Sequence, residues 1–400
     1  MTVGGHAVKK MIVPVIFSVF LVVRIVAMLK PFSVIVGYGD AGYYISAGTA
    51  YVGGVLPDSV NPEHPPLAKY IIGFFNVYLG GAYYSSILFG FLGVVVAFLI
   101  SRKLTRKSGW AAVTVWLLAF DSINISTSIY PVLDGFMVFF ALLALYLFLN
   151  ATKNYHYCLA GICLGAAVAC KWDGLFFAAP AVAVMLAERK HLETSTAALA
   201  AVATYLASYS RLILAEGFGA FLHLQYWMLQ YMVANHGPSP TALGVFHGLL
   251  DPIIFNLTTF GRVTGYDALF HPEAFKLLGG SYISFADLTN PLVMLLLIPV
   301  LYWYVRNRRF RMDRVNRMIF WTLVSLVVWE ILFVNPLELW FFSPVTAVVS
   351  IAASPMFSAF ARRRGKTEMA TYVHLGLVPL WLLFASAIVA LRIAHYWASL

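Results

Sequence analysis

Charge is what this 400-residue chain has least of: 11% of its residues are Asp, Glu, Lys or Arg, against 61% apolar and a mean hydropathy of +0.81. So little charge cannot cover a water-soluble globule of this length, so the surrounding solvent is lipid. Cysteine is nearly missing as well. Cys158, Cys163 and Cys170 fall in or at the ends of one apolar run, at spacings that match no zinc or redox motif, which leaves them to helix packing. Also lacking are a glycine-rich phosphate loop, a P-loop lysine and a metal-binding histidine pair on one helix, so ATP or nucleotide-sugar chemistry on the cytosolic side is not expected. No soluble domain or low-complexity linker interrupts the chain, and 1–400 reads as a single integral membrane domain.

What is present is a series of apolar runs of helix-spanning length rather than alternating ten-residue strands. Spans are expected near 11–29, 82–101, 110–128, 132–150, 156–170, 173–187, 195–215, 289–305, 317–334, 339–360 and 371–397. The fold class is therefore an all-α polytopic membrane protein of about eleven transmembrane helices. The first run is long and has no small-residue cleavage pattern, so it reads as a span and not as a removable signal.

Basic residues set the orientation. Lys9, Lys10, Arg102, Lys103, Arg106, Lys107, Lys153, Arg189, Lys190, the run Arg306 to Arg317 and the run Arg362 to Lys366 fall on alternate loops and hold 19 of the 27 Lys and Arg residues. The positive-inside rule puts those loops and the N-terminus in the cytoplasm and the C-terminus outside. The net charge of +10 is this topology signal, since the charges flank spans and form no single nucleic-acid-binding face.

The remaining polar chemistry then lies outside. One external loop, 30–81, carries Asp40, Asp58, Glu63, His64 and Lys69; a longer one, 216–288, carries Glu216, His223, His236, Asp251, Arg262, Asp267 and His271. Within the longer one, Phe218–Val233 and Leu243–Phe255 read as amphipathic helices lying at the outer membrane interface.

The first loop also carries a recognisable pattern. Gly39-Asp40-Ala41-Gly42-Tyr43-Tyr44, Tyr51-Val52-Gly53-Gly54 and His64-Pro65-Pro66-Leu67-Ala68-Lys69 resemble the signature loop of the dolichyl-phosphate-mannose protein O-mannosyltransferases. Leu133-Asp134-Gly135-Phe136, Lys171-Trp172-Asp173-Gly174, Tyr205 to Tyr209, His236-Gly237-Pro238-Ser239-Pro240, Asn290-Pro291-Leu292 and Leu339 to Pro344 agree with that family in order. The resemblance implies a compact, prokaryotic-style GT-C glycosyltransferase in the plasma membrane, without the β-trefoil insertion of eukaryotic members. It also implies a polyprenyl-phosphate-linked sugar donor, typically of mannose, and a Ser or Thr hydroxyl of a protein as acceptor on the non-cytosolic face.

By the same resemblance Asp40 is the general base; the family usually has Asp-Glu where this chain has Asp40-Ala41. A hydroxyl is a poor nucleophile, and a carboxylate placed to take its proton contributes roughly 10² to 10⁴ in rate. The departing lipid phosphate needs a fixed cation, and Lys69, Lys171, Arg211 and Arg262 are the candidates, with snorkelling to headgroups the alternative for the first three. The family's arginines before the Leu-Asp pair and before a later proline are replaced here by Ser128 to Leu133 and by Asp251, leaving Arg262 as a candidate substitute. Tyr44, Glu63, His64, Asp134, Trp172 and His236 are expected to organise the substrate or the loop, with helix capping the alternative for Asp134. Asp40, Asp58 and Glu63 are a conceivable oxygen site for a divalent ion, but no Asp-x-Asp string is present and a metal-free inverting displacement is expected. Two competing readings remain: transfer to a lipid or glycan acceptor, and a transporter, which would need mid-membrane charge of which only Arg24 and Glu330 are instances.

Overall fold

The computed structural model describes residues 40–236, 293, 296–307, 313–333 and 343–363. The expected spans 11–29 and 371–397, the expected helix 243–255 and Arg262 lie outside the described residues. Thirteen α-helices occur among the described residues, and no strand. They are α1 Ala41–Val52, α2 Leu67–Tyr78, α3 Ala82–Thr105, α4 Ser108–Phe120, α5 Ser122–Ile129, α6 Leu133–Asn150 and α7 Asn154–Cys170. A 3₁₀ turn at Trp172–Gly174 leads to α8 Leu175–Ala187, α9 His191–Ser208, α10 Ser210–His236, α11 Leu297–Arg306, α12 Arg314–Phe333 and α13 Ser343–Arg363.

Among the described residues three helices are long and apolar enough to cross a membrane, α3, α6 and the Ser343–Phe360 part of α13, each on an expected span. α6 is the centre of the bundle, with Phe136, Met137, Ala141, Leu142 and Leu145 buried among α3, α7 and α13. Small residues bring α7 and α9 together: a Cβ on Gly161 or Gly165 would run into the backbone of α9 at Ala197 or Ala201. α13 brings hydroxyls into the apolar interior. Thr114 on α4 donates to the Ser350 carbonyl (3.0 Å) and lies 2.6 Å from the Ser101 hydroxyl of α3 and 2.5 Å from that of Ser354, so each group leaves water with a partner in hand.

Two expectations are corrected. The run 110–128 is not one continuous helix: Asp121 interrupts it in extended conformation, and its carboxylate accepts from the Asn124 backbone N–H (2.9 Å) and the Thr346 hydroxyl (3.1 Å). The run 195–215 is also divided, with His191–Ser208 meeting Ser210–Glu216 at 63°. Gly217 (φ 85°, ψ 168°) breaks the helical backbone inside α10, and the helix expected at Phe218–Val233 follows that break, with Phe221, Leu224 and Met228 buried and Leu222, Tyr226, Trp227 and Val233 exposed.

Polar contacts collect at two ends. At one, Arg317 and Arg314 hold Glu188 (2.5 and 3.2 Å) and Lys103 donates to the Asn150 side chain (2.7 Å). All of these residues lie on or beside loops that the basic-residue pattern assigns to the cytosol. Asp134, Lys171 and Arg211 lie at the opposite helix ends, with the first loop.

Candidate active site

The described part of the segment expected as the first external loop, 40–81, folds as two helices joined by residues 53–66. α1 and α2 cross backbone against backbone at Gly48 and Gly73, where a Cβ on either would overlap the other helix's main chain. Only glycine permits that approach. The crossing puts the α1 end of the connecting loop beside the α2 end, and Tyr51 and Lys69 inside it, both fully buried.

Side chains then grip the loop by its carbonyls. The Tyr51 hydroxyl reaches the carbonyls of Val60 (2.6 Å) and Pro57 (3.2 Å). Lys69 Nζ donates to the carbonyls of Asn61 and His64, the latter at 2.9 Å, beneath the rings of Tyr44 and Tyr51. Arg211 donates from Nη1 to the Tyr51 carbonyl (2.6 Å) and from Nη2 to the Gly54 carbonyl (2.8 Å). Prolines at 57, 62, 65 and 66 supply no N–H of their own, so the loop is ordered through its acceptors. Burial lowers the Lys69 pKa to about 7, against the opposing pull of Glu63 and Asp40.

Asp40 stands exposed in the turn before α1. One helical turn on, Tyr44 donates its hydroxyl to Asp40 Oδ2 (3.2 Å). Burial, Asp40 and Asp134 together raise the Tyr44 pKa, so the phenol keeps its proton and remains a donor. The His64 ring meets the Tyr44 ring edge to face at 6.0 Å, and Glu63 accepts from the Asn61 side-chain amide. Asp40, Tyr44, His64, Glu63 and Lys69 are thus brought into one cluster.

Beneath it, Lys171 ends α7 and its Nζ lies 2.8 Å from Asp134 Oδ1 and 3.1 Å from Asp173 Oδ2, all three buried. Burial alone would lower the Lys171 pKa; the two carboxylates overcome it and raise it, so the group is a permanent cation. Asp134 lies in the first turn of α6, two residues past the N-cap Val132, and its side chain accepts from Lys171. Trp172 in the following turn donates its indole N–H to the Tyr205 hydroxyl (2.9 Å), which donates to the Gln225 side-chain oxygen (2.5 Å).

Of the four cations expected near a donor phosphate, Lys69 and Lys171 therefore have their ammonium groups buried and engaged, Arg211 has its terminal nitrogens on the carbonyls of Tyr51 in α1 and Gly54 in the loop, and Arg262 is outside the described residues. His236 ends α10, and its side chain is likewise outside them. Among the described residues no group of three His, Cys, Asp or Glu side chains gathers where it could hold a metal ion. Tyr51, Tyr205 and Gln225 were not anticipated. Tyr51 and Tyr205 lie in motifs already singled out, whereas nothing in the sequence distinguishes Gln225.

The family model described as dolichyl-phosphate-mannose-protein mannosyltransferase matches residues 73–215. The family resemblance read from the sequence is borne out over that segment. It runs from the Gly73 crossing through Asp134, Lys171 and Trp172 to Arg211, and leaves residues 40–69 outside it. No curated protein matches the sequence. Among solved structures, the Archaeoglobus fulgidus oligosaccharyltransferase in complex with zinc and sulfate is similar at 16% identity and a TM-score of 0.56, over 94% of this chain and 53% of that one. The archaeal oligosaccharyltransferase AglB from the same organism, in complex with an inhibitory peptide and a dolichol-phosphate, gives 14% identity and 0.56 over 96% and 56%. ArnT from Cupriavidus metallidurans bound to undecaprenyl phosphate gives 14% and 0.53 over 86% and 59%. At these identities the likeness establishes a shared helical fold. The chain spans just over half the length of each of these structures.

Proposed function

We propose that the chain is a membrane glycosyltransferase that moves a hexose, mannose in the first instance, from a polyprenyl phosphate to a Ser or Thr hydroxyl of a protein on the non-cytosolic face. The observation that carries this reading is an exposed Asp40 carboxylate, aimed by Tyr44, at the rim of a loop whose backbone is fixed from beneath. The family match to residues 73–215 supports the reaction class, and the undecaprenyl phosphate and dolichol-phosphate held by the two similar structures support a lipid-phosphate donor.

In this reading Asp40 takes the proton of the acceptor hydroxyl as its oxygen bonds to the anomeric carbon. The bond from that carbon to the phosphate oxygen breaks with inversion, and the electron pair leaves on the polyprenyl phosphate. No metal is required. Lys171 acts one layer down: with Asp134 and Asp173 it fixes the ends of α6 and α7, on which α2 rests. A frame held in advance is what makes a positioned base effective.

The test is transfer of label from a radiolabelled polyprenyl-phosphate-mannose to a Ser/Thr-rich peptide by the purified protein, wild type against Asp40→Asn. Loss of transfer with donor binding retained supports the assignment. Unchanged turnover removes Asp40 from it, and label recovered on lipid but never on peptide overturns the protein acceptor.

A further inference from the structure

We infer that Arg211 is a positioning residue, the strut by which the elbow between α9 and α10 holds the first loop in register, and not a ligand of the lipid headgroup. The inference rests on the glycosyl-transfer reading only in its kinetic arm.

The elbow is built by the sequence break at Tyr209. The bend of 63° turns the first turn of α10 toward the connecting loop, with Arg211 two residues past the break. Tyr209 and Leu212 flank the arginine and are buried, 1% and 0% exposed, in a small cluster with Phe221, Leu224 and Met228. That cluster is separate from the main core. Leu56 of the loop packs against it, as do Trp172 and Tyr205. The loop is thus held to the elbow twice within three residues, by an apolar contact at Leu56 and by the guanidinium at Gly54.

Arg211 is exposed, and the geometry of its guanidinium is what favours the strut. Its two terminal nitrogens each take a different backbone carbonyl, Tyr51 at 2.6 Å and Gly54 at 2.8 Å. Tyr51 is in the last turn of α1, the helix preceded by Asp40; its carbonyl also accepts the Gly54 N–H (3.1 Å), and a cation at that helix end is favoured by the helix dipole. Gly54 has φ of +113°, a conformation side chains rarely adopt, and a Cβ built on it would lie 3.5 Å from Arg211 Nη2. A planar fork spans two such acceptors; a lysine ammonium, a point donor on a flexible stem, does not reproduce it.

The experiment is amide hydrogen exchange on the purified full-length chain, wild type against Arg211→Lys, Arg211→Ala and Gly54→Ala, with initial rates measured in parallel. Exchange of residues 53–66 is expected to rise by about tenfold or more in every variant, that of α6 and α13 staying unchanged. Transfer is expected to fall in kcat at constant donor KM, with no rescue by lysine. Should Arg211→Ala unfold, seen as faster exchange in α6, the Lys and Gly54 variants carry the comparison. Unchanged loop exchange in Arg211→Lys and Gly54→Ala overturns the strut, as does a raised donor KM in Arg211→Ala that lysine restores. Absence of transfer in the wild type refutes the proposed function while leaving the exchange result to decide the strut.

Discussion

The Tyr44 hydroxyl donates to Asp40 Oδ2 over 3.2 Å from one turn further along α1. An exposed carboxylate otherwise samples several rotamers, and this bond selects one. Asp40→Asn is expected to reduce kcat by about 10² to 10⁴ with donor affinity kept. Tyr44→Phe, which leaves the ring against His64 and removes only the donor, is expected to cost about tenfold in kcat. Initial-rate kinetics on both variants check this, and a Tyr44→Phe enzyme indistinguishable from wild type would show that the phenol does not orient the base.

Lys69 makes stability depend on pH. Burial takes its pKa from the ordinary 10.5 to about 7, so between those values the folded protein binds fewer protons than the unfolded one. Stability therefore rises with pH across that window and reaches its lower plateau below about 7, over a range of at most about 5 kcal/mol. Thermal unfolding of the detergent-solubilised protein from about pH 6 to about pH 10 should show the climb in wild type and lose most of it in Lys69→Met. Parallel curves for the two proteins would remove the buried cation from the account.

The three charges at Lys171 are not equivalent. Asp134→Asn leaves Lys171 with Asp173 at 3.1 Å, whereas Lys171→Met leaves two buried carboxylates facing each other. The lysine variant is expected to lose about 3–5 kcal/mol and the asparagine variant clearly less. Ranking the two by thermal midpoint tests the arrangement, and equal losses would mean that Asp173 contributes nothing.

Gly48→Ala and Gly73→Ala should each force α1 and α2 apart, since the added methyl meets backbone and not a movable side chain. A cost of about 1–3 kcal/mol is expected, with faster proteolysis of the 53–66 loop. Gly80→Ala is the control: nothing lies near its Cβ position, and only its positive φ of 74° is strained. A loop equally protected in all three proteins would refute the close crossing.

Much of the bundle was legible because apolar length and basic flanks are local properties. Expected span edges at 82, 132, 156 and 173 fall within two residues of helix starts. The break at Asp121 was missed because the apolar run passes straight through it; Asp121 caps the Asn124 N–H locally, and a second partner, the Thr346 hydroxyl, is more than two hundred residues away. The site divides the same way. Which residues gather near Asp40 followed from motif order, but which carbonyls Lys69, Tyr51 and Arg211 hold depends on main-chain placement, of which a side-chain pattern carries no record.

The hydroxyl cluster around Thr114 ties two early helices to one that begins at Ser343. During synthesis α3 and α4 reach the lipid long before α13 exists, so Thr114 must meanwhile settle for Ser101 or for carbonyls of its own helix. Arrival of α13 replaces these stopgaps, and the bundle closes around a late-made helix rather than growing outward from its first.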